Sequence, residues 1–165
     1  MMFAEEFLPV YDVSDEVATV VAAEPHAVWE ALLDADLIEV GKRTPLAGLL
    51  GERPGQELAL GLVGKFWRPV IEYAQVPAER FRDFHEPGYA KTIYALSVHP
   101  LGGERSLLSG LMRTATTDEH AHRWFRRYWT FGVGSGAHIL VHALLEMVRE
   151  MAEHAQTATA ARKAQ

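Results

Sequence analysis

Hydrophobic and polar residues alternate between Asp15 and Ala23, with Val17, Thr19 and Val21 on one side, and this period of two predicts a first strand. Glu24-Pro25 ends it. Proline in a first helical turn forfeits no hydrogen bond, and Val28, Trp29, Leu32 and Leu33 then recur at helical spacing to about Asp34, predicting a helix. Residues 35–56 carry Pro45, Gly48, Gly51, Pro54 and Gly55 and read as one or two short helices set in irregular loop. Further strands are expected over 57–67, 71–76, 81–84, 90–98 and 106–116, the last two joined as a hairpin. Gly61 and Gly64 predict a bulge or sharp bend in the strand that contains them. The count comes to six or seven strands, mostly antiparallel.

After Thr116 the period changes to that of a helix. On a wheel of residues 121–132, Trp124, Phe125, Tyr128, Trp129 and Phe131 form an apolar arc, with Arg123, Arg126, Arg127 and Thr130 opposite. Beyond it, Leu140, Val141, Leu144, Met147, Val148 and Met151 share one face, and His138, His142, Glu146, Arg149, Glu150 and Glu153 the other. Thr116-Thr117-Asp118-Glu119 matches a capping box, with a Thr hydroxyl and the Glu carboxylate each satisfying a backbone N–H. A straight helix from 118 to 154 would span about 55 Å, against roughly 40 Å for a compact domain of this size. A bend is therefore expected at Gly132, Gly134 and Gly136. Residues 1–12 read as a loosely tethered lead, 13–155 as a single domain and 156–165 as a frayed helix end. Strands followed by a long amphipathic helix make an α+β chain in which a curved sheet grips its carboxy-terminal helix.

Composition narrows the function classes. The 165 residues are 48% hydrophobic and 23% charged, enough for one substantial core. A formal net charge of -6 disfavours a nucleic-acid partner, and the one dense basic cluster, Arg123, Arg126 and Arg127, reads as a solvated helix face. There is no cysteine, which excludes disulfides, thiolate metal sites and a Cys nucleophile and fits a reducing compartment. No apolar run nears the roughly 18 residues of a spanning helix, and Glu5 and Glu6 stand where a secretory signal would be positive. A cytoplasmic location without membrane insertion is expected. His138 and His142 have the spacing to share an ion, but Ile139 stands where a zinc protease carries Glu, and Gly132-x-Gly134-x-Gly136 lacks the strand and spacing of a dinucleotide site. Neither a metal nor a cofactor is expected.

Several segments together resemble the helix-grip or START-like superfamily, also called SRPBCC, which includes polyketide cyclases and dehydratases and pollen-allergen-like binding proteins. The first strand followed by Ala22-Ala23-Glu24-Pro25-His26-Ala27-Val28-Trp29-Glu30-Ala31-Leu32 is similar to the superfamily as a whole. Gly64-Lys65-Phe66-Trp67-Arg68-Pro69, Thr117-Asp118, Arg123 to Trp129 and Ser135-Gly136 resemble a bacterial branch of it. In that branch an acidic residue often stands two places before the strand arginine that matches Arg113; this chain has Leu111 there. The resemblance implies a helix-grip fold with an apolar cavity between sheet and terminal helix, and noncovalent binding of a small hydrophobic or amphipathic molecule.

The lining this implies comprises Trp124, Phe125, Tyr128 and Phe131 from the helix, and an alternate set among Phe66, Tyr94, Leu96, Leu111 and Arg113 from the sheet. An inward Arg113 guanidinium would anchor an acidic group, and Tyr128 would donate to a bound carbonyl. No residue is assigned a catalytic role. Two other readings stay open: a cyclase- or dehydratase-like enzyme that polarises a carbonyl through Tyr128, Arg113 or a His, and a filled core whose aromatic surface contacts a second copy.

Overall fold

A computed structural model describes residues 1–35 and 47–164 of the chain. Its strands are β1 (Val13–Val21), β2 (Ala47–Arg53), β3 (Glu57–Lys65), β4 (Glu72–Tyr73), β5 (Ala90–Pro100) and β6 (Ser106–Thr116). Its helices are α1 (Phe3–Phe7), α2 (Pro25–Asp34), α3 (Ala78–Phe81), α4 (Glu119–Tyr128) and α5 (Gly134–Lys163), with a π-helical turn, Trp129–Val133, between the last two. All strand pairs are antiparallel, in the order β1-β6-β5-β3-β2, and β4 adds to the end of β3.

Alternation fixes which side of the sheet each residue serves. On the inner side, Val17, Val21, Leu58, Leu96, Val98 and Leu108 pack against Val28, Trp29 and Leu32 of α2 and Val141, Leu145 and Val148 of α5. Gly110 lets α5 approach: a Cβ there would stand 2.8 Å from a Val141 methyl. The buried stripe of α5 is rotated slightly from the expected one, with Val141, Leu145, Val148 and Ala152 closed in and Met147 44% exposed. Its polar flank clips to β1, where Glu146 accepts the Thr19 hydroxyl at 3.3 Å, Glu153 accepts the Ala22 N–H at 2.9 Å and Asp15 meets His138 Nδ1 at 2.9 Å. The bend falls at Gly132, whose φ of 111° no right-handed helix accommodates, and α4 and α5 diverge by 61°. No single helix among the described residues is long and apolar enough to cross a membrane.

The outer side is also covered, contrary to the expectation of a loosely tethered lead over 1–12. Phe3, Ala4 and Leu8 are buried with Leu50, Ala59, Val63, Phe81, Ile93 and Leu111 in a second core. A sheet apolar on both faces needs two covers, and α1 with α3 supplies the second. Glu57 ties α1 down by accepting the Phe3 N–H at 2.8 Å, and Lys91 holds α3 by donating to the Arg82 carbonyl at 2.8 Å.

Four further expectations need correction. Residues 47–53 form an edge strand rather than loop, because Gly51 and Gly61 are close-approach positions: a Cβ would stand 2.6 Å from the Phe3 ring in one case and 2.7 Å from Leu50 in the other. The rest of that expectation, over 36–46, lies outside the described residues. The bulge sits in β2 between Leu49 and Gly51, while the pairing of β3 with β5 runs unbroken. The strand expected over 81–84 is replaced by the short α3, which Pro77 starts. The cap of α4 is Asp118, which accepts the Ala121 N–H at 2.7 Å, whereas Thr117 pairs with Tyr89.

Candidate functional site

Tyr94 lies on the inner side of β5, the central strand, paired with Leu60 and Met112 on its neighbours. It remains only half-buried, although Leu96, two residues along the same face, is closed in beneath α5. Around it stand the side chains of a third apolar cluster. Phe66, Ala90 and Phe125 are buried, and Leu62, Trp67, Tyr73, Tyr128 and Trp129 are half-buried against them.

Local sequence explains how these rings converge. Gly64 ends β3 where β4 folds back, and a Cβ there would stand 3.0 Å from both the Glu72 carbonyl oxygen and the Phe66 ring, so only glycine lets Phe66 and Tyr73 pass. Their rings meet edge-on at 6.4 Å. The Asp118 cap aims α4 so that Phe125 packs with Phe66 and Ala90. Phe125 in turn lies 6.2 Å from Tyr128 and 5.7 Å from Trp129, ring centre to ring centre. Trp129 fills the space left by Gly134, where a Cβ would approach the indole to 2.8 Å.

The polar atoms of this region are hydroxyls. Burial pushes the Tyr94 phenol above its ordinary value of 10.0, and the neighbouring phenols of Tyr128 and Tyr73 add to the effect. Tyr128 is raised for the same reasons, burial first and Tyr73 second. Tyr94 and Tyr128 are therefore neutral donors near pH 7. Among the described residues, none of these hydroxyls makes a hydrogen bond. On the same face Thr92 and Thr114 satisfy each other at 2.8 Å, inside the sheet. A group of apolar rings with unengaged hydroxyls can orient a neutral oxygen function while burying a hydrocarbon body.

The structure brings Phe66, Phe125 and Tyr128 into one cluster and sets Tyr94 and Leu96 on the same side of the sheet. Leu111 and Arg113 are on the other side. Leu111 belongs to the outer core, and the Arg113 guanidinium lies over the Tyr11 ring at 4.5 Å, so it cannot anchor a ligand beneath α4. Trp124 and Phe131 are 44% and 86% exposed and point away from the cluster. Both stood at the margin of the helical arc, where a small turn decides the side. Sequence reasoning left out Tyr73, Trp129 and Leu62 as lining; for Tyr73 the signal was the glycine at 64, read as a bend rather than as room for a ring.

No family model matches the chain, and no curated protein matches it in sequence. Solved structures do. The protein MLL2253 from Mesorhizobium loti is 14% identical, with 86% of this chain and 98% of that one covered at a TM-score of 0.50. The chain has a helix-grip fold. A conserved protein from Geobacillus kaustophilus is similar at 10% identity and TM-score 0.47, covering 85% and 95% of the two chains. The Zhui aromatase/cyclase from Streptomyces sp. R1128 follows at 15% and 0.34, covering 82% and 93%. At 14% identity the match to MLL2253 speaks for the fold and is silent on the ligand.

Proposed function

We propose that this helix-grip protein binds a small hydrophobic or amphipathic molecule on the inner face of the sheet, beside Tyr94 and under α4. One observation carries the reading: Tyr94 faces the helices from the central strand yet stays only half-buried, with its neutral hydroxyl in electrostatic range of Tyr128 and Tyr73. The aromatic cluster supplies the apolar wall, and the phenols donate to a carbonyl or similar oxygen of the guest. The wall is built of apolar side chains and neutral phenols, so a neutral or weakly polar head group suits it better than a carboxylate.

Native mass spectrometry of freshly purified protein, followed by Trp fluorescence titration with fatty alcohols and aromatic ketones, tests this. A retained mass or a saturable fluorescence change is expected. Tyr94→Phe and Tyr128→Phe should each weaken the titrated ligand about 2- to 10-fold, the worth of one hydrogen bond. Neither a bound mass nor any fluorescence change would leave a filled core and defeat the proposal. The coupled phenols also suit proton donation to a bound carbonyl, the enzymatic reading; that reading requires Tyr128→Phe to abolish turnover while affinity holds.

A further inference from the structure

α4 has a second face whose residues the inner site does not use. Arg123, Arg126 and Arg127 are exposed, and no carboxylate among the described residues pairs with them. Glu119, one turn before Arg123, makes no ion pair with them, and Asp12 at the rim is engaged by His122 at 3.2 Å. Trp124 and Phe131 emerge among these arginines, with the Arg127 guanidinium 5.4 Å from the Trp124 ring centre. Shallow depressions separate the arginine stems, one lined by Arg123, Arg126, Arg127 and Phe131, another by Arg123, Trp124 and Arg127. The chain as a whole carries a net charge of -6, so this cationic surface stands against the field of the rest of the molecule.

We infer that the outward face of α4 docks on an anionic lipid bilayer. Guanidiniums beside exposed rings match phosphate head groups lying above an acyl boundary, the arrangement an interfacial amphipathic helix uses. An acidic protein surface would satisfy the arginines but would leave Phe131, 86% exposed at the helix bend, with nothing apolar to enter. A bilayer takes both. The same helix would then touch lipid with one face while its other face, through Phe125, Tyr128 and Trp129, walls the inner site. The docking requires no occupant in that site, and its failure would leave the ligand proposal standing.

Cosedimentation with large unilamellar vesicles tests the inference. Phosphatidylcholine vesicles alone should bind negligibly, and vesicles with about 30% phosphatidylglycerol should bind at 20 mM salt and lose the protein at 300 mM, where screening is short-ranged. Arg126→Gln should lower partitioning about fivefold and Arg123→Gln/Arg126→Gln/Arg127→Gln together about 100-fold, each arginine counting for about a factor of five near an anionic surface. Phe131→Ser should lower it about fivefold more. All four positions are exposed, so melting temperatures should be unchanged, which keeps loss of binding separate from loss of fold. Absent binding at low salt, or binding that the triple variant retains, would overturn the inference. Polyglutamate bound more tightly than the anionic vesicles, with Phe131→Ser neutral, would also overturn it and assign the face to an acidic protein.

Discussion

Asp118 and Gly88, 30 positions apart in sequence, are joined by one hydrogen bond: Asp118 Oδ2 accepts the Gly88 N–H at 2.7 Å while Oδ1 accepts the Ala121 N–H at 2.7 Å. A single carboxylate thus starts α4 and fixes it to the loop before β5. Asp118→Ala should cost about 2 kcal/mol, the sum of a lost cap and an orphaned backbone donor. A fall of about 4–8 °C in melting temperature would register it.

The bond from Ala121, and after it that from Gly88, hold the Asp118 carboxyl below its usual value. A carboxyl depressed in the folded state contributes stability above its unfolded value, and loses it as pH falls through the folded one. The gap in melting temperature between the native protein and Asp118→Asn should therefore be full at pH 6 and close below about pH 4. A gap unchanged at pH 3 would refute this role.

Tyr94 and Tyr128 are raised above the ordinary phenol value, so an unfolded chain ionises first. Their contribution to stability is complete below about pH 10 and lost as pH climbs through the folded values. Titration of phenolate absorbance should show at least two late-ionising tyrosines, and Tyr94→Phe should remove one of them.

Gly110 is the point where the sheet admits α5, with Val141 at 2.8 Å, Leu96 at 3.3 Å and Leu145 at 3.5 Å from the position of a Cβ. Gly110→Val should force the helix outward and cost about 1–3 kcal/mol. Thermal unfolding measures the cost, and weakened near-ultraviolet circular dichroism would report the loosened aromatic packing.

Phe3 plugs the outer core beside Gly51 and under the Arg53 guanidinium, which stands 4.0 Å from its ring centre. Phe3→Ala should cost about 3 kcal/mol, as cavity-forming losses of buried rings do. Urea unfolding would detect it. A midpoint unchanged by the substitution would mean the amino-terminal segment is not part of the cooperative unit.

The elements read most clearly in the sequence are those whose local pattern and tertiary environment agree. In β6 the expected limits, 106–116, coincide with the observed ones, and Pro25 opens α2 where a first-turn proline should. β2 escaped notice because Gly51 answers to the ring of Phe3, and Leu50 to Gly61 on the paired strand, neighbours that no window around residues 47–53 contains. The same limit governed the site. Alternation ties Arg113 to Leu111 and Tyr94 to Leu96, but only the assembled sheet decides which pair meets the helices. On α4 the wheel placed Phe125 and Tyr128 well inside the buried arc, whereas Trp124 and Phe131 lay at its edge, where a few tens of degrees separate core from solvent.

The turn at Gly132 divides labour between two successive helices. Because the backbone breaks there, the seating of α5 on β1 and the tilt of α4 over the tyrosines are separate mechanical settings. A substitution that reshapes the floor under α5 need not be transmitted to the aromatic wall, so each arm is free to vary in length and composition independently of the other.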